Sequence, residues 1–297
     1  MSANITLKQA DFSANNIGRI VELSELTKKI LTKQTQYSED SVEAAALDTF
    51  LAALTAGGFI GGETPKLSVL MIPALASGHD DLFYNICKLD ENGAPTNWMP
   101  SLGSSLYEVV ASNGHNIGAY ANATVEQGTI GYGFDLNLGT YFKANQKMPS
   151  FCLFNYLCDT FTTGDRKIAY YDYSANIVHS ANACSAGVSR GTQATAGTSM
   201  SSTTKGFYGM AYDADSGTII LNNVGNEASS STPVSGGITL SSVAKINENF
   251  TLLTGNSNPV GATHSSIIGF GTGLTQSELA TLKGHCDTLA AALHITI

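Results

Sequence analysis

Ser265-Ser266-Ile267-Ile268-Gly269-Phe270-Gly271-Thr272-Gly273 runs directly into Leu274-Thr275-Gln276-Ser277-Glu278-Leu279. The first part reads as a short strand that ends in glycines. The second reads as a helix start, because Thr275 is a good N-cap and Glu278, three residues on, completes a capping box. Leu274 before the cap is placed to pack on Leu279 as a hydrophobic staple. Beyond the cap, Leu279, Leu282, Cys286 and Leu289 recur at helical spacing and form one apolar stripe. That stripe must bury against something, most simply the face of a sheet. A β body closed by one amphipathic helix is therefore the expected architecture.

Working back from this end, the body is strand-rich. Strands are expected near residues 67–72, 107–111, 117–121, 131–136, 151–156, 168–173, 206–212, 218–222, 250–253 and 266–270, and a short one follows Asp80-Asp81. Turn signals separate many of them, among them Ser112-Asn113-Gly114, Asp90 to Pro95 and Asp213-Ala214-Asp215-Ser216-Gly217. Many short strands with such turns point to a sandwich or jelly roll. The stretches 192–204 and 226–237 are rich in Ser, Thr, Ala and Gly and read as exposed loops, or as extended segments at a sheet edge. Two helices precede the body. One covers about 23–31, with Leu23, Leu26 and Ile30 on one face. The other covers about 41–56, with Leu47, Phe50, Leu51 and Leu54 at helical period, Ser41 as cap and Gly57-Gly58 as terminator. The expected organisation is an arm and short helix over 1–40, then a helix and sandwich over 41–297.

Charged residues make up 13% of the 297 residues, against a usual share of about 25%. Solubility must rest on Ser, Thr, Asn and Gly. The formal net charge of −9 argues against nucleic-acid binding, which needs a basic footprint, and against anionic membranes. No apolar run reaches the roughly 20 residues that a membrane span needs, and the first residues carry no signal-peptide pattern. Cys87, Cys152, Cys158, Cys184 and Cys286 are odd in number and lack C-x-x-C spacing. They read as free, mostly buried thiols, with a Cys152–Cys158 bridge as the alternative on spacing.

Catalytic motifs are sparse. Gly269-Phe270-Gly271-Thr272-Gly273 has glycines without the dinucleotide-binding spacing. There is no phosphate-binding G-x-x-x-x-G-K-[ST], no H-E-x-x-H, and no G-x-S-x-G elbow between a strand and a helix. His79, His115, His179, His264, His285 and His294 are scattered. His79-Asp80-Asp81 reads as a solvated loop. Asp213 and Asp215 stand two residues apart, a spacing that calcium loops and β-sandwich glycosidases use, but they sit in turn sequence. Asp172 stands alone among aromatics. Trp98, Tyr170, Tyr171, Tyr173, Tyr208 and Tyr212 are candidate aromatic platforms for a glycan or a protein interface, with core packing as the competing reading. No catalytic residue, metal ligand or cofactor is assigned.

The close Ile267 to Leu282, with Gly271, Leu274, Thr275, Glu278 and Leu282 in a G-x-x-L-T-x-x-E-x-x-x-L pattern, resembles the end of concanavalin-A-like, laminin-G-like jelly rolls. Such modules occur in tailed-phage virion structural proteins, including capsid decorations, head fibres and tail-associated proteins. Ala46 to Gly58, preceding Leu67 to Ile72, resembles their helix and first strand, although Phe59-Ile60 stands where a Trp often follows. The resemblance covers about 42–293. It implies a mainly β, jelly-roll sandwich with N-terminal helices and one C-terminal helix. It further implies a non-enzymatic virion role, with capsid or tail proteins and further copies of the chain as partners. A glycan- or receptor-binding adhesin is the alternative, with a host-surface glycan as partner. A polysaccharide-active hydrolase is a third reading.

Overall fold

The computed structural model describes residues 22–77, 84–97, 107–112, 116–121, 134–136, 146–157, 166–171, 175–180, 183–190, 193–200, 205–223, 226–229, 239, 250–255 and 265–295. Three helices and sixteen strands lie within them: α1 (Glu25–Lys33), α2 (Val42–Ala56), β1 (Leu67–Met71), β2 (Tyr84–Leu89), β3 (Pro95–Asn97), β4 (Tyr107–Ser112), β5 (Asn116–Ala121), β6 (Phe134–Leu136), β7 (Phe151–Leu157), β8 (Arg166–Tyr171), β9 (Ala175–Ser180), β10 (Ala183–Arg190), β11 (Gln193–Met200), β12 (Gly206–Asp213), β13 (Thr218–Asn223), β14 (Asn226–Ser229), β15 (Phe250–Gly255), β16 (Ser265–Thr272) and α3 (Gln276–Ala292). The chain is mainly β, a jelly-roll-like sandwich with N-terminal helices and one C-terminal helix. One six-stranded antiparallel sheet has the order β1-β16-β7-β12-β13-β14, and a second has the order β11-β10-β9-β8-β15-β6. The sheets meet where β10 and β11 come against β13, and β11 against β14. The hairpins β2–β3 and β4–β5 stand beside them.

The first sheet is covered on both faces. On one, Cys152, Phe154 and Tyr156 of β7, Phe207 and Ala211 of β12 and Ile267 of β16 share a core with Leu47, Phe50, Leu51 and Leu54 of α2 and Leu279, Leu282, Cys286 and Leu289 of α3. On the other, the alternate residues Phe151, Leu153, Tyr208, Met210, Tyr212, Ile268 and Phe270 are also buried. Phe151 there lies 5.8 Å from Tyr212 and 6.2 Å from Phe270, centroid to centroid. Antiparallel sheets commonly wet one face. This sheet does not, which explains why 151–156 and 206–212 read as nearly continuous apolar runs.

Glycines make the helix-facing side flat enough for α3. Gly209 and Gly269 are the register partners of Phe154 from its two sides. A Cβ on Gly269 would overlap the Phe154 ring, and one on Gly209 would stand 2.5 Å from Phe207 Cε1 and 3.1 Å from Leu279 Cδ1. The two rings instead stack at 5.6 Å. The α3 cap forms as its sequence demands: the Glu278 amide donates to Thr275 Oγ1 at 3.2 Å, and the Thr275 amide donates to Glu278 Oε2 at 2.8 Å. Glu278 Oε1 also takes Lys66 Nζ at 2.5 Å. At the far end, the Tyr37 hydroxyl donates to the Leu293 carbonyl.

Ser24 and Ser41 cap α1 and α2. Gly58 supplies the left-handed residue after α2, at φ 69°. Pro73 ends β1 by opening a 3-10 turn. Of the two readings of 192–204 and 226–237, the extended segment at a sheet edge holds for part of each: β11 and β14 lie there as edge strands of the two sheets, held by pairing to β10 and β13. β9 and β10, unforeseen in the sequence, complete the second sheet. Cys152 is a free thiol, so the Cys152–Cys158 bridge is not formed.

Candidate functional site

A cleft of about 450 Å³ opens where the β12–β13 turn meets the start of α3, lined by Ser150, Asp213, Ser216, Thr218, Ile220, Gly273, Leu274, Thr275 and Gln276. Three chain segments far apart in sequence build it. Asp213 ends β12 and organises the turn: its Oδ1 accepts from the Asp215 amide at 3.0 Å and its Oδ2 from the Ser216 hydroxyl at 2.7 Å. Gly217, at φ 69°, closes the turn by donating to the Asp213 carbonyl. Ser150, just before β7, ties the turn down by accepting from the Ala214 amide at 2.9 Å. The third segment passes so close that a Cβ on Gly273 would stand 2.6 Å from Ser150 Cβ and 3.1 Å from the Tyr212 carbonyl oxygen. Only glycine permits that approach.

Hydroxyls, one carboxylate and the apolar side chains of Ile220 and Leu274 thus share the lining of the cleft. The Ser216 hydroxyl, with help from the Asp215 amide, holds the Asp213 carboxyl below its ordinary range, so it is ionised at neutral pH. Asp215 points instead to Lys147, 3.1 Å away. Asp213 thus anchors the turn while Asp215 forms an ion pair, and no His/Cys/Asp/Glu group among the described residues is arranged to hold a metal.

The aromatic candidates separate. Tyr208 and Tyr212 are fully buried in the first sheet, which corrects their candidacy as a glycan or interface platform: alternation along β12 turns both into the sandwich. Tyr170 and Tyr171 lie on β8, where Tyr170 pairs with Thr251 and Asn176. Trp98, Tyr173, Asp172 and His79-Asp80-Asp81 fall outside the described residues. His285 lines a groove of about 300 Å³ between α2 and α3 with Phe50 and Leu289. Gly187-Val188-Ser189-Arg190-Gly191 has the literal G-x-S-x-G spacing, but Ser189 sits on β10, and the strand β11 follows rather than a helix. A nucleophile elbow needs a strand-to-helix turn, so Ser189 is a strand residue.

Sequence reading found the Asp213–Gly217 turn but not the cleft. Ser150 and Gly273 to Gln276 reach it only through the pairing of β7 with β12 and β16. The one local hint is Gly273, a glycine placed between a strand and a well-marked helix cap.

No protein-family model matches the chain, and no curated protein matches it in sequence. Solved structures show distant likeness. The Ruminococcus gnavus IT-sialidase CBM40, solved with α2,3 sialyllactose, is 11% identical at TM-score 0.39, covering 53% of this chain and 95% of that one. A leech intramolecular trans-sialidase is 16% identical at TM-score 0.36, covering 54% of this chain and 27% of the other. A Trypanosoma rangeli sialidase is 11% identical at TM-score 0.43, covering 84% and 39%. The chain thus spans about a quarter of the leech chain and two fifths of the trypanosome one. Likenesses this distant say nothing of function.

Proposed function

We propose that the protein is a non-catalytic carbohydrate-binding β-sandwich module whose ligand sits in the Ser150–Asp213–Gln276 cleft. The observation that carries this reading is the composition of the cleft wall. Small ligands are held in pockets of about 300–1,000 Å³ by apolar surface with a few placed polar groups, and this cleft has that volume and that mixture. A sugar ring offers the matching surface, with hydroxyls at its rim and C–H groups on its faces. Ile220 and Leu274 meet the C–H face, and Thr218, Ser216, Asp213 and Gln276 meet the hydroxyls. Hydrolysis would need two carboxylates across the scissile bond, whereas the described lining contributes Asp213 alone.

The expected carriage on a virion, with capsid or tail proteins and further copies as partners, is a separate proposal about where such a module works. Imaging of purified particles tests it. The binding reading is tested with the intact chain on an array of immobilised oligosaccharides. Thr218→Ala and Gln276→Ala each remove a hydrogen-bonding group, worth about 1 kcal/mol or roughly fivefold in affinity. Weakened binding is expected, with the fold retained by circular dichroism. Full binding by the double variant would place the ligand elsewhere.

A further inference from the structure

We infer that the cleft selects uncharged sugars against sugars that carry a carboxylate or sulfate; this rests on the carbohydrate-binding reading and assigns its ligand class. Asp213 is the one charged side chain among the described residues that line the cleft. It is negative, and its two oxygens are held in place by the Ser216 hydroxyl and the Asp215 amide. No lysine or arginine stands among the described residues that line the cleft, although the Lys147 charge reaches Asp213 from outside it. Lys147 pairs with Asp215, and Lys66 pairs with Glu278 while standing 5.4 Å from the centre of the Phe59 ring. Neither lines the cleft.

The start of α3 would ordinarily favour an anion through its unpaired amides and the helix dipole. Here it brings its own anion, because Glu278 folds back to take the Thr275 amide. An incoming carboxylate would therefore meet a fixed negative charge at Asp213 and a helix start whose dipole Glu278 already offsets in part. A hydroxyl meets neither penalty, since it can donate to the lone pairs that Asp213 still has free and accept from Thr218 or Gln276. Two like charges about 4 Å apart in water differ from a neutral pair by roughly fivefold in affinity, and more where the cleft excludes water.

The test uses the intact chain and paired probes: lactose beside 3′-sialyllactose, and maltotriose and a trimer of N-acetylglucosamine beside glucuronate-terminated and sulfated counterparts. Expected is tighter binding of uncharged members, by about fivefold or more at low salt. The gap should narrow as ionic strength rises from about 0.01 M to about 1 M, which shortens the screening length from about 30 Å to about 3 Å. Asp213→Asn should narrow it in the same way. Because Asp213 also holds its turn, the salt titration on the unaltered chain stands as an independent reading if that variant misfolds. Tighter binding of the acidic members, or a gap that salt leaves unmoved, overturns the inference and leaves the glycan reading standing. Binding of no probe in either set overturns both.

Discussion

Replacing Thr275 and Glu278 together by alanine removes three contacts at the start of α3. Two are the reciprocal capping bonds, at 3.2 and 2.8 Å. The third is the Lys66–Glu278 pair, whose side chains are each about one third exposed, at 31% and 32%. Loss of an N-cap Thr costs about 1 kcal/mol, and a partly exposed ion pair adds between about 0 and 1 kcal/mol. The double variant should therefore lose about 1–2 kcal/mol. The loss is felt globally as well as by fraying, because Leu279 and Leu282, within the first two turns, are fully buried in the shared core. Urea unfolding gives the free energy, and hydrogen exchange of the first α3 amides localises it. Unchanged exchange there, with an unchanged urea midpoint, would refute the capping account.

The same site makes a pH prediction. Burial alone would raise the Glu278 carboxyl, but the Lys66 ammonium and the Thr275 amide and hydroxyl outweigh it and hold the group below its ordinary value. A carboxyl depressed on folding adds stability that is fully present above its unfolded value, near about 4.3. That stability is lost as pH falls through the folded value. The gap between the parent chain and Glu278→Gln should accordingly be widest near neutrality and shrink on acidification below about pH 4.

Two further outcomes follow from the core. Gly269→Ala drives a methyl into the Phe154 ring, which Phe207 and α3 hold from the other side. Overpacking should cost about 1–3 kcal/mol, outweighing the backbone entropy an alanine recovers, and Phe154→Leu in the same chain should restore part of it. A melting temperature at or above that of the parent would contradict this packing. Burial pushes the Cys87 thiol up to about 12 and pushes Cys152 and Cys286 well above the ordinary range. Cys152 and Cys286, fully buried, should resist iodoacetamide in the folded protein and label on unfolding, with the half-buried Cys87 labelling ahead of them, as peptide mass mapping would show; rapid labelling of Cys152 in the folded chain would exclude the buried placement.

What sequence revealed and what it withheld divides by range. The α3 cap, the Ser41 cap of α2 and the Asp213–Gly217 turn are local chemistry, so single residues at fixed spacing announce them. β9 and β10 are not, and β11 is legible only as one of two readings, a loop or an edge segment. Ala183 to Arg190 and Gln193 to Met200 hold small and polar residues of modest strand preference, and they become strands because each is paired along its length. Tertiary pairing there overrides propensity. The cleft is hidden for the same reason, since Ser150, Asp213 and Gly273 meet only once three strands have found register. For Tyr208 and Tyr212 the competing core-packing reading holds, and strand alternation alone cannot decide it because it does not say that both faces of a sheet are covered.

The double covering of the first sheet also sets a timetable for biosynthesis. β1 pairs with β16, and the helical layer needs α2, from early in the chain, to meet α3, from its last thirty residues. Until α3 is made, Phe154 and Phe207 lack half of the helical layer with which they share a core. Closure of that side waits for α3 to leave the ribosome, and such long-range contacts form slowly. During that interval the nascent protein carries an unroofed aromatic surface. A shortage of charge elsewhere gives it little electrostatic protection from its neighbours, so crowding on a polysome, more than the finished fold's stability, would govern how much soluble protein a cell recovers.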